Sequence, residues 1–267
     1  MKNRNELDKK TISKNFSYAS KNYDEFAAVQ KMSAAKLCSL VLPLIQNNDS
    51  IIDLGSGTSA ICKNLFSSQN FYEKNLEVFE LDLSSEMLGI WSEKSKNHIH
   101  SIAADAENLP LKSDSFNIII SSFSLQWLQN FEEIFADFKR ILKKDGILAF
   151  CLPTNSSLKE LKISSIESGC NFNFINLPEM EILKSALLKS GFREIEMQSE
   201  VLKSEFNDGI EALKSLKKIG ANYSAEKKLI SRKPLNHFNN LCLEKFSTSN
   251  KKLAISWEVT YFLFSNS

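Results

Sequence analysis

Residues 50–60 read SIIDLGSGTSA. Apolar Ile51 and Ile52 run into Asp53, and then glycine alternates with small residues at Gly55, Ser56 and Gly57. A short apolar run bounded by glycines reads as a buried strand entering a tight turn. Glycine in such a turn permits positive φ and lets the backbone approach a ligand closely. Loops that hold nucleotide cofactors often carry a third glycine, and here Ser59 and Ala60 stand where it would fall. A lone Gly-x-Gly is a weak signal that an ordinary tight turn can also give, so its meaning depends on what surrounds it.

Outward from that stretch the chain alternates strand, loop and helix. Short apolar runs occur at 51–54, 77–83, 116–121 and 147–152, with helical segments at about 59–67, 85–96 and 131–142. Near-continuous apolar strands alternating with helices imply a parallel sheet covered on both faces. The expected fold is α/β, a doubly wound, mostly parallel, seven-stranded sheet of Rossmann-like type with an inserted helical lid. A helix is expected over roughly 24–46, where Phe26, Val29, Met32, Leu37, Leu40 and Val41 recur at helical spacing. Lys143-Lys144-Asp145-Gly146 reads as a helix end with a glycine C-cap. A helix over 178–190 ends at Gly191 and leads into a strand at 192–199, and 253–264 reads as a long final strand. The whole of 1–267 is expected to form one domain, with an N-terminal helical cover over about 1–48 and lid pieces at about 155–176 and 205–250.

Composition bounds the function. The apolar fraction is 43% and the formal net charge is +1, so overall charge gives no sign of a nucleic-acid partner. Residues 1–20 are polar throughout and no apolar run approaches the length of a membrane span, so neither a secretory signal nor membrane insertion is expected. The five cysteines are odd in number and scattered without a CxxC, which suits free thiols in a reducing cytoplasm. His98, His100 and His237 lie near no evident ligand set, and no metal is expected.

The acids sharpen the reading of the loop. GSGTSA also fits the Gly-x-Gly-x-x-Ala dinucleotide fingerprint, but Asp53 precedes the first glycine, where its charge would oppose a diphosphate. It suits an amino-acid ammonium or a sulfonium. Asp82 ends the next strand, where a carboxylate can take ribose hydroxyls. Asp105, in IAADAENLPL, follows a third strand and can accept from an adenine amino group. Three acids at successive strand ends fit S-adenosylmethionine better than a nicotinamide dinucleotide. Met87, in DLSSEML, falls where it could cover an adenine ring, and it reads equally as a core methionine.

DLGSGTS, LDLSSEML, DAENLPLKSDSFNIIIS and RILKKDGILAF resemble the consecutive motifs of class I S-adenosylmethionine-dependent methyltransferases. The resemblance implies cofactor contacts from Asp53, Gly55, Ser56, Gly57, Asp82 and Leu83. It adds Met87, Asp105, Ala106 and Ser122, the last where many relatives have Asn. The family pattern is Asp-x-Gly-x-Gly-x-Gly, and Ser59 replaces its last glycine. No Ser/His/Asp or Cys/His constellation and no Asp-Pro-Pro-Tyr-like motif is present, so no general base is expected. A carboxylate acceptor, ionised at neutral pH, needs none.

The flanks KKTISKNFSYASKNYDEFAAVQ (9–30), SFSLQW (122–127), SLKKIGAN (215–222), SRKPLNHF (231–238) and VTYFLF (259–264) resemble the malonyl-acyl-carrier-protein O-methyltransferases of biotin synthesis. That family masks the free carboxylate of a malonyl thioester as its methyl ester, so that an ionised group need not enter an apolar condensing-enzyme pocket. By this resemblance Tyr23 and Gln30 belong to the N-terminal cover of the site, while Gln126 and Trp127 line the acceptor side. Residues 212–233 carry seven basic residues against Glu226, +6 in a chain of net +1. That run would meet an acidic acyl carrier protein, with malonyl-CoA as the other thioester carrier, and it reads equally as a solvated helical face. Lys217, Lys218 or Arg232 could instead pair with the malonyl carboxylate. Three other readings remain: a class I enzyme acting on another small acid or a quinone precursor, a methyltransferase-like assembly factor, and, least favoured, a dehydrogenase.

Overall fold

A computed structural model describes residues 9–20, 22–68, 71, 74–88, 99–220 and 231–267. Three helices lead the chain, α1 (Lys9–Ala19), α2 (Tyr23–Phe26) and α3 (Ala28–Val41). Then strand and helix alternate through β1 (Ser50–Leu54), α4 (Ala60–Leu65), β2 (Glu77–Asp82), α5 (Ser85–Leu88) and β3 (Ile99–Ala103). β4 (Phe116–Ser122), α6 (Phe131–Ile141) and β5 (Leu142–Pro153) follow. The chain continues through α7 (Lys159–Glu167), α8 (Met180–Lys189), β6 (Arg193–Phe206), α9 (Gly209–Lys218), α10 (Arg232–Phe246) and β7 (Leu253–Ser265).

The sheet has seven strands in the order β3-β2-β1-β4-β5-β7-β6. β1 to β5 pair in parallel, while β7 runs antiparallel to β5 and β6. Successive side chains on a strand face opposite ways, so each strand feeds two cores. Ile51, Ile118 and Ile120 pack towards α3 and α4, whereas Ile52, Leu54 and Ile119 pack towards α6 and α8. On α6 the buried face is Ile134, Phe135, Phe138 and Ile141, at helical spacing. Glu132 and Glu133 lie in its first turn and Lys139 and Arg140 in its last, the arrangement that the helix dipole favours.

Three boundaries differ from the sequence reading. The expected helix over 24–46 breaks at Ala27 (φ −91°, ψ 39°) and ends at Val41, before a 3₁₀ turn at Leu42–Leu44. The break frees Asp24 to bond Thr58 and Lys63. Tertiary contacts of that kind outweigh helix propensities of a few tenths of a kcal/mol per residue. Gly146 is not a helix C-cap: α6 ends at Ile141, and Asp145 takes the left-handed conformation (φ 60°). Gly146 is required for close approach instead, since a Cβ there would lie 2.8 Å from Lys143 O and 3.0 Å from Asn117 O. Finally, β6 continues past 199 to Phe206, paired along its length with β7. Helices occupy both expected lid regions, α7 in 155–176 and α9 with α10 in 205–250. Gly191, at φ +81°, ends α8 as its sequence suggests. Residues 89–96 of the helix expected over 85–96 lie outside the described residues, as do Lys227 and Lys228 of the basic run.

Candidate active site

The strand order reverses beside β1, with β2 on one side and β4 on the other. Ligands of open α/β sheets bind beyond the strand ends at such a point. The loop after β1 is held there by its own backbone: Gly55 N and Ser56 N both donate to Leu81 O, at 2.7 and 3.1 Å. Gly57 N donates to Asp82 Oδ2 at 2.9 Å, and Ser84 N donates to Asp82 Oδ1 at 2.8 Å. Gly55 (φ +71°) and Gly57 (φ +53°) are both left-handed, and a Cβ on Gly55 would overlap the Ser124 hydroxyl. Ser59 caps α4 in the left-handed conformation (φ 64°, ψ 37°), the backbone state for which a glycine is preferred. Serine therefore fits the turn at a cost of about 1–2 kcal/mol.

The loop floors a cavity of about 1060 Å³, partly open to solvent. Asp53, Asp82 and Asp105 reach it from three consecutive strand ends, and Met87, 1% exposed, both packs in the core and lines the wall. Gly55, Ser56, Gly57, Leu83, Ala106 and Ser122 line it as well. Ser122 Oγ sits 3.3 Å from Cys151 Sγ. The expected adenine acceptor Asp105 is already engaged: Lys9 Nζ lies 2.6 Å from its Oδ2 and also pairs with Glu107. Burial raises the pKa of Asp53 well above the carboxylate range, and the neighbouring Glu80 and Asp82 add to the rise. Asp82 is raised by burial too, tempered by the Ser84 and Gly57 amides.

Roofing this floor are α1, α2 and the 3₁₀ turn Leu125–Trp127. Phe16 meets Trp127 edge-on, with ring centroids 5.5 Å apart, and Tyr23 lies 6.4 Å from Phe16. All three rings line the cavity, together with Gln30 and Lys31. Trp127 Nε1 is buried and has no hydrogen-bond partner. Tyr23 stays protonated, pushed up by burial and by Asp82 and Asp24. Gln126 does not line the cavity; its amide donates to Phe123 O at 2.7 Å. Lys217 and Arg232, exposed on α9 and α10, do not line it either. A second, narrower cavity, about 350 Å³ counting the solvent-open space at its mouth, lies between α9, the start of α3, β6 and β7, and shares Gln30 with the first.

This geometry fits S-adenosylmethionine. An unpartnered acid, Asp53, suits cationic groups, and a left-handed glycine turn in which Gly57 presents bare backbone to open space suits a closely seated ligand. Asp82 keeps free lone pairs for hydroxyl donors. Among the described residues no helix is long and apolar enough to cross a membrane.

Fold and site together define a class I S-adenosylmethionine-dependent methyltransferase. A methyltransferase-domain family model matches residues 52–150, and the YcgJ protein of Bacillus subtilis shares the fold, with a TM-score of 0.61 at 13% identity over 86% of this chain and 97% of that one. A malonyl-[acyl-carrier protein] O-methyltransferase of Enterobacter lignolyticus is 30% identical over 222 residues, 82% of this chain and 83% of its own. That of Geobacter sulfurreducens is 29% identical over 224 residues, 80% of this chain and 82% of its own. The chain belongs to the malonyl-[acyl-carrier protein] O-methyltransferase family, and it is an S-adenosylmethionine-dependent O-methyltransferase.

Several site residues escaped the sequence reading. Lys9 and Phe16 lie on the quoted 9–30 stretch, but nothing in their spacing singles them out from its other residues, and Ser124 matters only through its fit over Gly55. Glu80 had a signal: a charge between Phe79 and Leu81 in a strand expected to be covered on both faces.

Proposed function

We propose that this chain methylates the free carboxylate of a malonyl thioester, carried by an acyl carrier protein, to give the methyl ester. One observation supports it most. Among the described residues lining the cavity there is no histidine, and the nearby phenol of Tyr23 is held in its protonated form. The site is therefore suited to an acceptor that arrives already ionised, as a carboxylate does.

When bound, S-adenosylmethionine supplies an activated methyl group on a sulfonium. The protein then has to align the acceptor in line with that methyl and keep water out. Phe16, Tyr23 and Trp127 form an aromatic roof whose ring faces favour a neighbouring cation. The unpartnered Trp127 Nε1–H would hold one carboxylate oxygen while the other attacks. Lys31, at the cavity wall, donates to Asp24 O and adds positive potential on the acceptor side. Asp53, Gly55, Gly57, Asp82 and Met87 are assigned to the cofactor.

The second cavity suits the thioester arm. It shares the lining residue Gln30 with the first, and its wall mixes Ala212, Leu216 and Ile219 with Ser204 and Ser215, apolar surface with hydroxyl partners for the amides of a pantetheine chain. On this reading α7, α9 and α10 form the lid over the core domain. Lys214, Lys217, Arg232 and Lys233 are exposed on α9 and α10, where they would attract an acidic carrier. Lys218 places its ammonium 3.8 Å from the centre of the Phe26 ring, tying α9 to α2.

The test is intact-mass analysis of malonyl-acyl carrier protein incubated with the protein and S-adenosylmethionine, with acetyl-carrier as control. A gain of one methylene unit on the malonyl form only is expected. Gain on malonyl-CoA but not on the carrier form would reassign the carrier, and gain on neither would remove the malonyl reading.

A further inference from the structure

Beneath the cofactor loop two carboxyl groups face each other with nothing to neutralise them. Asp53 on β1 and Glu80 on β2 are register partners on adjacent strands. They are 1% and 0% exposed, and none of their four carboxylate oxygens has a hydrogen-bond partner. One oxygen of each lies within 4.8 Å of the other and of Cys62 Sγ. Two like charges this close, out of water and without donors, cannot both persist.

The surroundings offer little relief. Cys62 on α4 and the Ser59 hydroxyl at its N-cap adjoin Glu80 and temper the rise that burial imposes on it, though neither reaches hydrogen-bond geometry. Lys63 of the same helix faces Glu80 but is paired with Asp24 at 3.1 Å. Cys38 on α3 and Cys151 on β5 face Asp53, and burial together with these acids keeps both thiols protonated. Asp82 adds a third negative group on β2.

We propose that Asp53 and Glu80 share one proton while the cofactor pocket is empty, and surrender it to solvent when a ligand bearing a sulfonium and an ammonium enters beside Asp53. Asp53 lines the pocket and Glu80 does not, so Glu80 acts through Asp53 as a positioning residue. Only an O–H bond breaks, and the proton passes to bulk water. Because the occupied site holds the proton less tightly than the empty one, cofactor affinity climbs as pH rises between the two titration points. The climb approaches about tenfold per pH unit for a whole proton, and affinity is flat outside that interval. The product left after methyl transfer is a thioether with one positive charge fewer. It releases less of the proton and loses ground to the incoming cofactor as pH rises, which favours product exchange.

Isothermal titration calorimetry of S-adenosylmethionine into the protein, in two buffers of different ionisation enthalpy at neutral pH, counts the protons. Release of roughly half a proton to one proton per cofactor is expected. Less is expected with S-adenosylhomocysteine, and near none in Glu80→Gln, whose amide can donate to an ionised Asp53. No release in the wild type, or equal release in the variant, overturns the proposal. So does a stoichiometric metal ion in the purified wild type that Glu80→Gln lacks, since a cation would then neutralise the pair. Difference infrared spectroscopy on the wild type alone covers the case of a variant that does not fold. A protonated-carboxyl stretch that disappears on cofactor addition supports the shared proton, and an unchanged spectrum refutes it.

Discussion

Gly220 rests against the Phe16 ring: at φ +71°, a Cβ on Gly220 would lie 3.0 Å from Phe16 Cδ1. The end of the α9 segment thus closes onto the N-terminal cover, and through Phe16 onto Trp127 at the roof of the cavity. Gly220→Ala puts a methyl group into that contact and forces an L side chain into a left-handed conformation, a cost of about 1–2 kcal/mol. The expected result is a roughly tenfold fall in kcat/KM for the malonyl-carrier substrate, with cofactor Kd within about twofold. A matching loss of cofactor affinity would mean that the roof serves the cofactor alone.

Gly55 is constrained more severely. A Cβ there would overlap the Ser124 hydroxyl, and the backbone is left-handed as well. Gly55→Ala should weaken cofactor binding by at least about a hundredfold, since a wall atom must move where the packing is close. Adding Ser124→Gly removes the obstacle but leaves the φ penalty, so the double variant should recover part of the affinity. Equilibrium dialysis with S-adenosylmethionine on both variants checks this, and a double variant no better than the single one would contradict it.

Trp127 and Gln126 are adjacent in sequence and unlike in role. Trp127 lines the cavity with an unpartnered indole N–H, whereas Gln126 turns away to bond Phe123 O. Trp127→Phe keeps most of the ring packing and removes the donor. A hydrogen bond to a charged acceptor is worth about 1.5–3 kcal/mol, so kcat/KM for the carboxylate substrate should fall by roughly ten- to a hundredfold. Cofactor binding should hardly change. Gln126→Ala should act on stability instead, seen in urea unfolding, with little effect on the rate per folded molecule.

The cofactor half of the site was legible because each element wears its chemistry locally. Asp53, Asp82 and Asp105 each close a strand, and the glycines between 55 and 57 can serve only a turn or a close approach. The roof of the cavity was legible in outline, since Tyr23 and Trp127 do line it, but not in detail. Gln126 follows the same motif and faces elsewhere, because a 3₁₀ turn directs neighbouring side chains apart. Lys217 and Arg232 promised charge at the substrate and lie outside the cavity instead. The Asp53–Glu80 pair depends on strand register, which no single strand encodes. The break at Ala27 depends on Asp24 reaching Thr58 across the fold.

That Asp24 contact has a pH signature. Burial alone would raise its carboxyl, but the Thr58 hydroxyl and Lys63 outweigh burial and hold it below the usual range. A carboxylate with a lowered native pKa stabilises the fold above its unfolded pKa, near 4, and loses that contribution as pH falls through the native value. Asp24→Asn should therefore reduce unfolding free energy at neutral pH and by less at pH 3. With the pair's side chains 44% and 34% exposed, solvent screening keeps the difference below about 1 kcal/mol. Urea unfolding at both pH values measures it, and a gap undiminished at pH 3 would place the effect elsewhere.

The second cavity supplies the sharpest test of how the acceptor arrives. Ala212 and Leu216 of α9 line this narrow cavity, and Gln30 lines both it and the cofactor cavity. If the thioester arm threads this space, filling it must hinder the acceptor and spare the cofactor. Leu216→Trp adds bulk to its wall, and Leu216→Ala widens it at a stability cost of about 2–5 kcal/mol, the usual range for a buried leucine. The tryptophan variant should raise KM for malonyl-acyl carrier protein at least about tenfold, and S-adenosylmethionine Kd should stay within about twofold of wild type. A short malonyl thioester such as malonyl-N-acetylcysteamine, too small to fill the passage, should be impaired far less. Equal impairment of long and short substrates would send the arm by another route, across the partly open face of the main cavity.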